Sequence, residues 1–216
     1  EKHTGGFSQI ARVNSKWLIN LPKNISEKES MIIGSAGYTA ALCVMVIQSK
    51  INPNDGEILV TGASGGVGSI AVNLLYRLGF KVVALSNKDE KYLKKLGAKK
   101  ILKRKDYIIN RKPLNSQKWV ASIDTVGGDI LSNIISEIKY DGIVVSTGLA
   151  KSPDLSTTVY PFILRNITLS GIDCVYANKE KREKAWQLLE ETLDFKMLDI
   201  IKNEKGLQDL VNLSQK

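Results

Sequence analysis

Between residues 57 and 195, short unbroken apolar runs alternate with longer amphipathic stretches. Ile58-Leu59-Val60 is the first such run, and a run without polar alternation suits a strand buried on both faces. Behind it, Ile70, Ala71, Leu74, Leu75 and Leu78 recur at helical spacing. The same sequence of signals continues. Strands are predicted at Lys81–Leu85, Ala98–Leu102, Val120–Thr125, Ile143–Thr147 and Ile167–Gly171, and helices at Asp89–Leu96, Gly128–Ile138 and Lys179–Phe195. Repeated β then α predicts an α/β fold, a doubly wound parallel sheet.

The flanks follow other patterns. Phe7–Val13 and Trp17–Leu21 read as two short strands closed by Pro22, and two strands alone make no stable sheet. Residues 1–24 therefore read as part of another unit, and 25–216 as the α/β domain. Ser26 and Glu29 have capping-box spacing. Helical segments at Met31–Ile33 and Tyr38–Ser49 follow, with an interruption at Gly34–Gly37. Tyr140-Asp141-Gly142 reads as a turn, and a loop runs from Gly148 to Pro161.

The first strand and helix are joined by Thr61-Gly62-Ala63-Ser64-Gly65-Gly66-Val67-Gly68. Strand, glycine turn and helix form the setting in which a glycine fingerprint signals a dinucleotide site. The spacing is AxGxxG from Ala63, or GxxGxxG from Gly62, rather than the plain GxGxxG. Small residues let the backbone approach a pyrophosphate, and the helix N-terminus offers free N–H groups and partial positive charge. Ser64, Gly65, Gly66 and Val67 are the candidate phosphate-binding residues.

Composition narrows the chemistry. With 43% hydrophobic and 25% charged residues, the chain has ordinary globular values. No apolar run is expected to reach membrane-span length. Cys43 and Cys174 lack CxxC spacing and suggest a reducing, cytoplasmic setting. His3 is the only histidine, so this chain cannot assemble a histidine-based metal cluster or a Ser/His/Asp triad. The net charge of +9 comes from scattered lysines without an RNA-binding aromatic motif. A solvated basic surface is the expectation, rather than a nucleic-acid partner.

Taken in order, AGYTA, VTGASGGVGSIAV, a strand ending in Ser-Asn-Lys, LGAKKIL, IDTVGGD and STGLA resemble the medium-chain dehydrogenase/reductase superfamily. GSAGYTAALCVM, VTGASGGVGS, TTVYPFILRNITLSGID and AWQLL are most similar to its zinc-independent, quinone-oxidoreductase-like branch, in the YhdH/AcuI group of acryloyl-CoA reductases. The resemblance runs from about Gly5 to Leu193. It implies that residues 1–24 are the end of a GroES-like β domain, and that 25–216 are a Rossmann-like NADP-binding domain.

The ribose-gripping carboxylate of NAD enzymes would stand at the end of the second strand. Ser86, Asn87 and Lys88 occupy that place, and the first acid is Asp89. Hydroxyl and amide groups followed by a cation suit a 2′-phosphate, so NADPH is the expected cofactor. The family has Ser-Gly-Arg here, and lysine lacks arginine's planar fork. The resemblance adds Arg104 at the same phosphate, and Leu149, Ile163 and Cys174 around the nicotinamide, with Cys174 replacing a serine. It would also aim Thr39 at the cofactor, against the alternative of a helix residue bonding its own backbone.

The activity implied is NADPH-dependent reduction of an activated carbon–carbon double bond, acryloyl-CoA being the expected acceptor. NADPH:quinone oxidoreductase activity is the alternative, and a nucleotide- or RNA-binding non-enzyme on this fold is a third. Tyr38 and Tyr160 lie near family blocks, but neither is assigned as proton donor. The edge strand 167–171 suggests a homodimer.

Overall fold

In the computed structural model, the described residues are 8–88, 90–107, 109–110 and 112–209. Six parallel strands form one sheet: β1 (Glu57–Thr61), β2 (Lys81–Leu85), β3 (Lys100–Leu102), β4 (Trp119–Asp124), β5 (Ile138–Ser146) and β6 (Thr168–Gly171). Their spatial order is β3-β2-β1-β4-β5-β6, the doubly wound Rossmann-like arrangement. The topological switch falls between β1 and β4, so a crevice opens beyond the carboxyl end of β1, where the glycine turn lies.

Alternate residues of each strand enter two cores. Ile58, Val60, Val82, Ala84, Ile123 and Val145 share one core with α1 (Glu27–Gln48), α2 (Gly66–Arg77) and α6 (Lys179–Thr192). Leu59, Val83, Leu85 and Val144 share the other with Ile130, Ile134 and Ile135 of α4 (Gly128–Glu137). Both faces are covered, which is why the strands read as continuous apolar runs.

Several elements depart from the expectations. The predicted N-terminal strands do not form among the described residues. Asn14 accepts the Lys16 N–H at 3.0 Å and caps a short 3-10 turn at Ser15–Trp17, with no strand beside it. Phe7, where the first was to begin, lies outside the described residues, as do His3 and Asp89.

The two helical segments after Ser26 form α1, with the expected capping box and a break at Gly34 (φ 52°, ψ −159°). Contrary to expectation, α1 is long and apolar enough to cross a membrane, with mean hydropathy 1.8 in an 18-residue window. Residues 30–47 carry no charge. Their apolarity serves the protein core here, because 56% of that window is buried against neighbouring elements.

Tyr140-Asp141-Gly142 is not a turn between elements but a bulge within β5. Trp119 pairs with Ile138 and Ala121 with Ile143, so β5 carries extra residues against β4, and Asp141 takes φ 59° there. Two short helices, α5 (Tyr160–Arg165) and α7 (Leu198–Ile201), were not expected. The remaining helix, α3 (Glu90–Lys95), follows β2.

Candidate functional site: a nucleotide crevice

The glycine turn leaves β1 and enters α2 with Gly65 as its N-cap and no side-chain cap bond. The first-turn N–H groups of α2 thus have no intrahelical acceptor, which suits them to an anion. Gly65 and Gly66 are exposed, and Val67 is half-buried behind them. Gly68 is required by close approach, since a Cβ there would stand 2.3 Å from the Gly62 carbonyl oxygen.

Behind the turn, β1 and β4 are latched together. Thr61 Oγ1 donates to buried Asp124 Oδ1 (2.6 Å) and accepts the Thr125 N–H (3.0 Å), while Asp124 Oδ2 accepts the Gly127 N–H (2.8 Å). Burial raises the Asp124 carboxyl above its ordinary value, outweighing the hydrogen bonds from Thr61, Gly127 and Val126 that favour its charged form.

Ser64, Gly65, Gly66, Ser69, Lys88 and Tyr92 line one cleft of about 700 Å³. The Ser86 hydroxyl donates to Ser64 Oγ at 2.9 Å and accepts the Lys88 N–H at 3.2 Å. Asn87 Oδ1 accepts the Arg104 backbone N–H at 3.0 Å. Lys103 Nζ donates to the Lys88 carbonyl at 3.1 Å. Ser86 and Lys88 therefore stand beside the glycine turn at the end of β2, and the backbone of Arg104, after β3, is held to the neighbouring Asn87.

The sequence reading missed Lys103, although it sits in the run Lys103-Arg104-Lys105 directly after the third strand. It also missed Tyr92 and Ser69, whose relevance depends on a contact between α2 and α3. The opposite wall comes from Lys28, Met31 and residues 200–205, where Lys28 Nζ meets Glu204 Oε2 at 2.9 Å.

The other candidates lie elsewhere. Exposed Leu149 lines a separate cavity of about 430 Å³ with Gly148, Gly171 and Asp173, beyond β5 and β6. Cys174 follows Asp173 and is half-buried, packed against the core that holds Tyr38 and Cys43. Ile163 is exposed on α5 and lines neither space.

Thr39 donates to the Ser35 carbonyl (2.7 Å), so its hydroxyl serves its own helix. Tyr38 is buried, and its hydroxyl has no hydrogen-bond partner among the described residues. Burial raises its pKa, so it stays a neutral phenol. Tyr160 is half-exposed at the start of α5.

Residues 66–191 match the zinc-binding dehydrogenase family model. The chain belongs to that family, within the medium-chain dehydrogenase/reductase superfamily. A crystal structure of the YhdH oxidoreductase from Salmonella enterica in complex with NADP is 44% identical, with a TM-score of 0.95 over 99% of this chain and 66% of that one. The acrylyl-CoA reductase AcuI of Ruegeria pomeroyi is 39% identical over 99% of this chain and 66% of its own length. Bacillus subtilis YhfP, named provisionally as a quinone oxidoreductase, is 42% identical. Its structure with NAD bound has a TM-score of 0.89 over 95% of this chain and 65% of that one. The chain thus spans about two thirds of these relatives.

The family's name raises zinc. Among the described residues, no group of three or more His, Cys, Asp or Glu side chains could hold a metal ion. Those residues do not fit a zinc centre. They do fit a dinucleotide, through the close-approach glycines, the uncapped α2 N-terminus and the cations beyond β2 and β3.

Proposed function

We propose that this chain binds NADPH as the nucleotide-binding part of a reductase acting on activated carbon–carbon double bonds. The observation that carries this reading is Ser86 and Lys88 beside the glycine turn, with Lys103 Nζ on the Lys88 carbonyl, the Arg104 backbone held at Asn87, and no carboxylate at 86–88. A 2′-phosphate is complemented by such a group, and a carboxylate there would repel it. Ser64, Gly65, Gly66 and Val67 would hold the pyrophosphate. Leu149, Ile163 and Cys174 are proposed nearer the nicotinamide.

When bound, NADPH would supply the hydride for reducing a 2-enoyl thioester such as acryloyl-CoA at its β-carbon, to propanoyl-CoA. The thioester carbonyl holds the developing enolate charge until the α-carbon is protonated. This chain's task is binding and orientation, and no metal takes part. The AcuI relative's name supports the acceptor. YhfP's name supports the second reading, a quinone, and its NAD complex makes the preference between the two nucleotides the first quantity to measure.

Titration of the chain with NADPH and NADH, followed by nicotinamide fluorescence, tests the cofactor. Tighter NADPH binding is expected, and equal binding would refute the 2′-phosphate site. Turnover of acryloyl-CoA against a quinone by the full-length protein separates the two acceptors. The two free cysteines agree with a reducing, cytoplasmic setting.

Residues 1–24 are proposed to belong with a GroES-like domain. Support comes from the exposed Ile10, Val13, Trp17 and Leu18, in a segment bonded to α6 at two points. There Arg182 Nη1 donates to the Trp17 carbonyl at 2.8 Å, and the Asn24 N–H donates to Glu190 Oε1 at 2.8 Å. A homodimer through edge strand β6 is proposed as well, and light scattering giving the mass of one chain would remove it.

A further inference from the structure

Tyr92 connects two parts of the nucleotide crevice. Lys88 Nζ stands 4.5 Å from the centroid of the Tyr92 ring, within cation–π range. At the other end of the same side chain, the Tyr92 hydroxyl lies 2.9 Å from Ser69 Oγ. Ser69 is buried on α2, one turn beyond the uncapped N-terminus, and aims its own hydroxyl at the Ala63 carbonyl (3.4 Å). Either hydroxyl can donate in the Ser69–Tyr92 bond. The ring is therefore tied to the helix that faces the pyrophosphate, and it carries on its face the cation that follows β2.

We infer that Tyr92 is a positioning residue that sets the preference for NADPH over NADH by holding the Lys88 ammonium beside the glycine turn. The inference rests on the NADPH reading above. A lysine is a point charge on a flexible stem, without the fork that fixes arginine on a phosphate, so its placement must come from elsewhere. Lys88 is an exposed side chain with several free rotors, and binding a phosphate through it would cost their entropy.

Two contacts reduce that cost. The ring face restrains the ammonium, and Lys103 Nζ on the Lys88 carbonyl fixes the backbone beneath it (3.1 Å). A cation on a ring face still presents N–H donors on its open side. Ser64, Gly65, Gly66, Lys88 and Tyr92 all line the same cleft, so ring and cation face the space a nucleotide would fill.

The test is a cycle of Tyr92→Leu, Lys88→Ala and the double variant, with Tyr92→Phe as the conservative change. NADPH and NADH dissociation constants are measured by fluorescence titration, and melting temperature is followed in parallel. Tyr92→Leu is expected to lower the NADPH-over-NADH preference about 3-fold, the scale of an exposed cation–π contact. NADH binding should fall by less than NADPH binding, since the lost Ser69 contact bears on both nucleotides and the lost hold on Lys88 only on the 2′-phosphate. Tyr92→Phe keeps the ring and should retain most of the preference. In the Lys88→Ala background, removing the ring should have no further effect.

An unchanged preference in Tyr92→Leu, while Lys88→Ala loses it, would overturn the inference. So would additive losses in the double variant. If parent and Lys88→Ala both bind NADPH and NADH alike, the NADPH reading itself fails, and this role of Tyr92 falls with it. Tyr92→Met gives the same reading should the leucine variant not fold.

Discussion

Ser86 Oγ donates to Ser64 Oγ over 2.9 Å, joining the end of β2 to the turn that follows β1. The same oxygen accepts the Lys88 N–H, so one hydroxyl organises both the glycine turn and the approach to the cation. Ser86→Ala removes both bonds at a nearly buried position. It is expected to weaken NADPH binding about 3- to 10-fold, the worth of one or two net hydrogen bonds. NADH binding should fall less, because only NADPH also engages Lys88. Equal losses for the two nucleotides would place Ser86 at the shared part of the cofactor instead.

Lys88→Ala and Arg104→Ala should each raise the NADPH dissociation constant, by about tenfold for one charge-assisted contact to phosphate. Both effects should shrink in high salt, since the two residues are exposed. The check is titration at two ionic strengths. A variant that binds NADPH like the parent would remove its residue from the site.

Gly68→Ala tests the turn itself. The added methyl would meet the Gly62 carbonyl oxygen at 2.3 Å and the Ala63 Cα at 2.7 Å, both backbone atoms that cannot rotate away. Helix and strand would have to separate, at a cost of about 1–3 kcal/mol. Urea denaturation measures it. The nucleotide site should also loosen, since α2 carries the N–H groups proposed to face the pyrophosphate.

The α/β alternation was legible because each strand is buried on both faces, and local apolarity then reports tertiary position directly. The glycine turn was legible for a similar reason, as close approach leaves few residue choices. Tyr140-Asp141-Gly142 misled because a wide bulge with Asp141 at positive φ uses the same residues as a turn, and only the pairing of β5 with β4 separates the two. The N-terminal strands misled because Phe7–Val13 and Trp17–Leu21 have strand composition without a pairing partner among the described residues. Tyr92 and Lys103 could not be singled out from spacing. Their partners, Ser69 and the Lys88 carbonyl, come from other elements.

Asp124 gives a pH prediction with a definite sign. Its side chain is fully buried, and burial raises its folded pKa above the unfolded value. The folded state thus binds the proton more tightly. Stability from that proton is full below the unfolded pKa of about 4 and is lost as pH rises through the folded value. The parent's urea midpoint should therefore fall, relative to that of Asp124→Asn, as pH rises above about 4. Other carboxylates contribute their own slopes to both proteins, so the difference between the two curves is the measurement. Parallel curves would mean that Asp124 titrates alike in both states.

The two cysteines provide a chemical probe of the crevice that needs no assumption about turnover. Cys43 is wholly buried on α1, and burial pushes its thiol up to about 12. The nucleophilic thiolate is therefore scarce in the folded protein at pH 8, and a thiol reagent should not reach it. Cys174 is half-buried, in the loop after β6. Native protein at pH 8 should therefore take up one label, at Cys174, and a second only in denaturant, as peptide mass spectrometry can show. If Cys174 lies beside the nicotinamide, NADPH should slow its labelling, while an adenosine 2′,5′-bisphosphate that lacks the nicotinamide half should not. Equal protection by both would point to a closure of the whole domain. Labelling unaffected by saturating NADPH would separate Cys174 from the cofactor and leave it as a packing residue beside Tyr38 and Cys43.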